Sequence, residues 1–267
     1  MKYSFMSFSC PEASFEEMVD YANEFGYDGI EPRTQSAHGH GLEFDAPAGH
    51  KEKCRDYADR NGVDICCIAT SCKYADPEQT QGMVEDTHQA IDLADDVGAS
   101  RIRVFGGEIP TKVSRERAIE LLVESMNKVK DHAGEKDIVV CMETHDSWCN
   151  PSHLAPVMDE VDSDYVGVNW DIMHPVRTGH ASIEESFEIL QPWIRHVHFH
   201  DGIEGEKGLD LKAIGKGEID HKKAVEALMS MGYQDYLSGE WIGWEPPEVH
   251  LGRELGKMKK YEQACGQ

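Results

Sequence analysis

Apolar residues recur along this chain in two alternating rhythms, one of period two and one of helical period. A short apolar run at residues 3–8 reads as a strand. Phe15, Met18, Val19 and Ala22 then fall on one helix face, and Ser14 with Glu17 forms a capping box in front of them. Gly26 stops that helix as a C′ residue, and Tyr27-Asp28-Gly29-Ile30-Glu31 follows as a short strand. The phrase repeats. Gly62, Gly98 and Gly134 each precede another β-branched or apolar run, at 36-residue intervals from Gly26, and Gly232 opens a later copy. A helical solenoid would not feed a strand after every glycine, so the unit is helix, glycine, strand, and hence parallel β/α.

The later units are less regular. A strand near residue 165 leads to a second capping box, Ser182 to Glu185, and its helix runs into a strand at 194–199. A long loop is expected from Asp201 to Glu218, then a helix from about Asp220, a strand at 236–240 and a helix after Pro247. The strands begin near residues 3, 28, 63, 101, 138, 165, 194 and 236. Eight β/α units in 267 residues predict a single-domain (β/α)8 TIM barrel over residues 1–267. An open doubly wound sheet is disfavoured because no Gly-rich nucleotide turn follows a strand.

Charge narrows the partners. Fifty acidic against 26 basic residues give a formal charge of −24, which opposes binding to nucleic acid or an anionic membrane. Solubility or adaptation to salt accounts for the excess itself. No apolar run approaches the roughly 18 residues of a membrane span, and the N-terminus MKYSFMSFSC is too short and polar for a signal peptide. The eight cysteines lack C-x-x-C spacing, and Cys66 and Cys141 sit in apolar runs. They read as reduced and mostly buried thiols of a cytoplasmic protein. Homo-oligomerisation is left open.

In a parallel barrel the chemistry sits at the C-terminal strand ends. The fifth strand ends at Glu143, the sixth at Asp171 and the eighth at Glu240, while the seventh carries His198. His196 and His200 share the face of His198, because side chains alternate along a strand. Any one acidic strand end is as easily a helix N-cap, and histidines on one face suit a solvated edge. Four in phase suit one divalent ion, with Mn²⁺ expected and Mg²⁺, Co²⁺ or Zn²⁺ as alternatives.

This E…D-x-x-H…H-x-x-D…E order resembles the xylose isomerase-like TIM barrels, the sugar phosphate isomerase/epimerase superfamily. The stretch G-K-G-E-I-D, from Gly215 to Asp220, is similar to that superfamily's turn before its seventh helix. The resemblance implies Glu143, Asp171, His198 and Glu240 as metal ligands. It selects His198 because the family's ligand lies three residues before an acidic one, here Asp201. It also implies that His174, three residues after Asp171, touches substrate. Two departures narrow the match. The extra histidines and the D-x-H of the three-zinc endonuclease branch are missing, and His198 stands where hydroxypyruvate isomerases generally have glutamine.

The expected function is a sugar isomerase or epimerase acting on a small sugar or polyol-derived substrate. Glu143 and Glu240 would exchange a proton on opposite faces of the carbon beside a metal-chelated carbonyl. His145, on the face of Glu143, is a candidate acid or base, or else a hydrogen-bonding support. As an acid it would favour the alternative, a dehydratase or lyase like inosose dehydratase. A non-catalytic sugar-binding barrel is the third reading. Arg33 and His200 are candidate substrate contacts, although support of a neighbouring ligand is the favoured role for His200, and Trp148 is a candidate aromatic wall. Lys207, Lys212 and Lys216 form no phosphate-cradling pattern, so an unphosphorylated substrate is expected.

Overall fold

The computed structural model describes residues 1–205 and 208–266. Strand β1 (Lys2–Met6) leads into helix α1 (Phe15–Phe25). The predicted capping box starts that helix: the Glu17 N–H donates to Ser14 Oγ at 3.3 Å, and the Ser14 N–H donates to the Glu17 carboxylate at 2.8 Å. Gly26 ends it at φ +82°, a region that only glycine enters without strain. β2 (Gly29–Glu31), α2 (Ala48–Asn61), β3 (Asp64–Ile65), β4 (Ile68–Lys73), α3 (Thr80–Val97), β5 (Arg101–Phe105) and α4 (Arg115–Lys136) follow. Gly62 and Gly98 are left-handed caps as well. Gly134 is not. Helix α4 runs past it to a cap at Asp137, and the glycine instead leaves room for the Tyr165 ring, 3.1 Å from where a Cβ would stand.

The second half comprises β6 (Val139–Glu143), α5 (Pro151–Val161), β7 (Val166–Asp171), α6 (His174–Arg177), α7 (Ile183–Leu190) and β8 (Ile194–Phe199). It continues through β9 (Asp201–Gly205), β10 (Gly208–Lys212), α8 (His221–Ser230), β11 (Tyr236–Gly239) and α9 (Pro247–Cys265). Parallel pairing runs in the order β3-β2-β1-β11-β8-β7-β6-β5-β4. The third predicted strand is split: β3 pairs with β2, and β4 pairs with β5. Beyond β2 the chain meets β4, with the Thr34 N–H on the Ala69 carbonyl at 3.0 Å and the Ala69 N–H on the Pro32 carbonyl at 2.9 Å. That contact closes the barrel, with β3 and β4 as two pieces of one stave among eight. Among the described residues no helix is long and apolar enough to cross a membrane.

Strand alternation separates two environments. Tyr3, Phe5, Ile30, Ile102, Val140, Met142, Val168, Trp170, Val197 and Leu237 belong to one apolar core that includes helix residues such as Met18, Ile91, Leu122 and Leu154. The intervening positions, Glu31, Arg103, Glu143, Asn169, Asp171, His196, His198 and Ser238, are equally buried yet polar. Buried polar groups on this scale need one another, or a ligand, to offset their lost hydration.

The expected loop after β8 is in fact an antiparallel hairpin. β9 and β10 pair from Asp201–Lys212 to Gly205–Gly208, and the alternation Leu209-Asp210-Leu211-Lys212 was its signal. Lys207 lies outside the described residues. The Asp201 carboxylate anchors the hairpin base, accepting N–H donors from Gly202, Gly215, Gly217 and Ile219 at 2.8–3.2 Å. This is the physical content of the G-K-G-E-I-D stretch. A Cβ at Gly217 would stand 2.2 Å from Asp201 Oδ1, so only glycine lets the backbone approach.

Candidate active site

Four neighbouring staves deliver the predicted quartet. Asp171 lies opposite His198 in the β7–β8 register, His198 opposite Ser238 in β8–β11, and Glu143 opposite Asn169 in β6–β7. Glu240 follows at the end of β11. One donor atom from each of Glu143, Asp171, His198 and Glu240 lies within 4.8 Å of the others, and all four residues are buried. His198 Nδ1 is 3.4 Å from Glu240 Oε2 and 3.7 Å from Glu143 Oε1.

The surroundings fix each of these groups. Asp171 Oδ1 accepts the N–H groups of Met173 and His174, while Oδ2 lies 2.9 Å from His200 Nε2 and 3.8 Å from His174 Nε2. Arg103 Nε lies 3.1 Å from Glu143 Oε2. Burial opposes the charge on Asp171, yet His174 and His200 hold its pKa far below the ordinary carboxylate value. Burial likewise opposes charge on Glu240, but hydrogen bonding and attraction to His198 bring its pKa to about 2. For His198, burial favours the neutral ring, and Glu31 followed by Glu143 outweighs it, raising the pKa well above 6.5. Both Glu143 oxygens, Asp171 Oδ2 and His198 Nδ1 are buried without a well-formed hydrogen bond. Three carboxylates and a ring nitrogen converging with unused acceptors fit a divalent cation.

One member of this network went unassigned in the sequence. Glu31, at the end of β2, is fully buried, with Oε2 2.8 Å from His196 Nε2 and Oε1 3.1 Å from His198 Nε2. The available signal was that Glu31, too, is an acidic strand end. Three triplets of possible metal ligands also occur. Two share members with the quartet. In the third, Glu31–Cys66–His196, the carboxylate is already committed to imidazole N–H groups.

Beside the quartet is a cavity of about 240 Å³, lined by His145, His174, His200, Glu240, Leu209, Leu211 and Ile242. Its hairpin residues, Leu209 and Leu211, add an apolar part to the histidine lining. His145 Nδ1 lies 2.8 Å from Asp146 Oδ1; burial disfavours its charge, but Asp146 and then Glu143 raise its pKa to about 9. Among the described residues no lysine or arginine lines this cavity. Lys212 pairs with Asp210, and Lys216 lines a separate groove with Lys257 and Lys260. A larger groove of about 520 Å³, bounded by Phe8, Tyr21 and Trp244, lies outside this cluster.

Two candidate contacts stand elsewhere. Trp148 is fully buried, its indole N–H on the Gly107 carbonyl and its ring against Gly106, so it packs the rim and offers no wall to a substrate. Arg33 is folded inward, donating to the Thr34 carbonyl and to Ser71 Oγ, and does not line the cavity.

The chain belongs to the xylose isomerase-like TIM barrel family, whose model matches residues 19–261. Among curated proteins it is 26% identical over 204 residues to the 3-dehydroshikimate dehydratase of Bacillus anthracis, covering 74% of this chain and 71% of that one. It is 23% identical over 190 residues to a putative hydroxypyruvate isomerase of Xenopus laevis, covering 67% and 66%. The crystal structure of a probable 3-DHS dehydratase of Bacillus anthracis superposes with a TM-score of 0.81 at 21% identity, covering 97% of this chain and 99% of that one. That of the IOLI protein, described with a bound zinc atom, gives 0.80 at 17% identity over 99% and 98%. The structural likenesses establish the fold, and the enzymes among these relatives include a dehydratase and an isomerase.

Proposed function

We propose that this protein is a divalent-metal-dependent enzyme that removes a proton from the carbon beside a ketone in a small polyhydroxylated substrate, with loss of water as the outcome. Glu143, Asp171, His198 and Glu240 would hold the ion. When bound, the ion supplies a Lewis acid that polarises the ketone and acidifies the neighbouring C–H. Glu240 is the quartet member that also lines the cavity, so it is the carboxylate able to take the proton. His145, which lines the same cavity, gives a proton to the departing hydroxyl, and Asp146 orients its ring. His174 and His200 are placed to hold the remaining hydroxyls. A cavity of about 240 Å³ lies below the ~300–1,000 Å³ of pockets for drug-sized ligands, which favours a single sugar-sized ring.

The observation that carries elimination over paired-glutamate epimerisation is the environment of Glu143. One of its oxygens faces Arg103 and the other faces His198, and the residue does not line the cavity. It holds the ion and leaves the second proton position to His145. Isomerisation or epimerisation is the second reading, because Glu240 and His145 lie at opposite ends of the four-stave arc and could serve opposite faces of one carbon. The two are separated by incubating Mn²⁺-loaded protein in D₂O with a panel of cyclic and open-chain keto-polyols. Mass spectrometry should show loss of one water, with His145→Ala abolishing product, and Asp171→Asn losing both the ion and turnover. Deuterium uptake without loss of water would establish the second reading. No exchange and no conversion across the panel, with metal bound, would refute both.

A further inference from the structure

Resting on the metal reading, we propose that Glu31 is a positioning residue that presents Nδ1 of His198, and not Nε2, to the cation. Glu31 enters from β2, three staves round the barrel from β8, and its carboxylate is buried with no solvent to satisfy it. His196 Nε2 lies 2.8 Å from Oε2, and His198 Nε2 lies 3.1 Å from Oε1 and 3.2 Å from Oε2. An ionised carboxylate only accepts, so both Nε2 atoms carry hydrogen. With Nε2 of His198 committed to Glu31, Nδ1 is the ring atom left to a cation, which would take the place of a proton there. That atom has no hydrogen-bond partner and faces the Glu143 and Glu240 carboxylates. Two carboxylates facing Nδ1 call for positive charge at that point, a proton in the metal-free protein and the cation when one is bound. The arrangement therefore makes chemical sense as one half of a metal site.

His196 acquires a role from the same geometry. It is the second donor to a buried carboxylate that would otherwise hold its charge on one hydrogen bond. The histidine triplet divides its labour accordingly: His196 secures Glu31, His198 offers the donor atom, and His200 holds Asp171.

Glu31→Gln tests the assignment without removing bulk. The glutamine amide would point its NH₂ at one of two Nε2–H groups, and that ring must move its proton to Nδ1. In His198 the displaced proton occupies the metal donor. Loss of such a partner typically costs 10–100-fold in metal affinity, so Mn²⁺ affinity by titration calorimetry should fall by roughly that factor. His196→Gln leaves the Glu31–His198 bond in place and should weaken Mn²⁺ less than Glu31→Gln does. Circular dichroism checks that each variant is folded.

A second readout needs no metal. In ¹⁵N-edited spectra of metal-free wild type, His198 should show a slowly exchanging, downfield Nε2–H proton, absent from folded Glu31→Gln. That measurement on wild type decides the matter even if Glu31→Gln does not fold. Mn²⁺ affinity in Glu31→Gln within about twofold of wild type, against the 10–100-fold expected, would overturn the proposal. A wild-type His198 bare at Nε2 would do the same. If wild type takes no Mn²⁺, the metal reading fails separately, and the presence or absence of the Nε2–H signal still supports or overturns the Glu31–His198 arrangement.

Discussion

Replacing Asp201 by asparagine should destabilise the protein through the hairpin base while leaving the quartet's residues untouched. Oδ1 of Asp201 accepts from Gly202 at 2.9 Å and Ile219 at 3.2 Å, and Oδ2 from Gly215 at 2.8 Å and Gly217 at 3.0 Å. An asparagine has one oxygen to offer. Its best orientation serves the fully buried pair, Gly202 and Ile219, and turns the NH₂ towards the other two N–H groups. Each donor left unsatisfied costs about 1–3 kcal/mol, and the Gly215 and Gly217 donors are only partly buried, so the low half of that range applies. The expected loss is about 2–4 kcal/mol. For a chain of this size each kcal/mol moves the midpoint by about 2–4 °C, which gives a drop of about 4–16 °C. Urea titration and thermal unfolding of wild type, Asp201→Asn and Asp201→Ala measure the energy and the midpoint shift, and alanine should lose more because all four acceptor contacts go. A loss below about 1 kcal/mol in Asp201→Asn, the size of one ordinary hydrogen bond, would refute the view that the four contacts act as a clamp.

Two further outcomes are expected. Because His145 has its pKa raised to about 9 from an unfolded value of 6.5, its contribution to metal-free stability is fully present below pH 6.5 and fades as pH rises through 9. Urea midpoints of metal-free wild type should therefore fall between pH 7 and 9, and His145→Gln should flatten that slope, since any contribution from thiol ionisation is common to both proteins. Seven of the eight cysteines are buried and Cys265 is partly exposed, so a thiol reagent should titrate one group in the native protein and eight in denaturant. Several reactive thiols in the native state would contradict the packing described.

The convergence of Glu143, Asp171, His198 and Glu240 was legible because a parallel barrel sends every strand end to one rim. Their order along the chain therefore carries their order in space. Helix limits at Ser14, Gly26, Ser182 and Asp220 were legible for a similar reason, since caps act within one turn. What escaped the sequence depends on contacts between distant segments. The bond from Glu31 to His196 and His198 crosses the barrel interior and leaves no local pattern. Trp148 lies in the turn just past a strand end, yet its burial is decided by Gly106 and Gly107, which follow the neighbouring stave. Gly134 kept the 36-residue spacing but lies inside a helix, where the bulk of Tyr165, and not backbone conformation, accounts for its small size. The hairpin was hidden by its glycines and lysines, which mask a short period-two pattern.

The quartet draws on one arc of the rim, β6, β7, β8 and β11, and leaves the ends of β1, β2, β4 and β5 without a member. The quartet is thus confined to one half of the barrel, and the other half reaches it from inside, through Glu31 of β2 on His196 and His198 and Arg103 of β5 on Glu143. The loops beyond β1, β2, β4 and β5 carry no member of the quartet, so changes in their length and composition that keep Glu31 and Arg103 should leave the quartet in place. Substitutions along the quartet's own arc reach the cavity as well, since all of its lining residues follow β6, β7, β8 and β11.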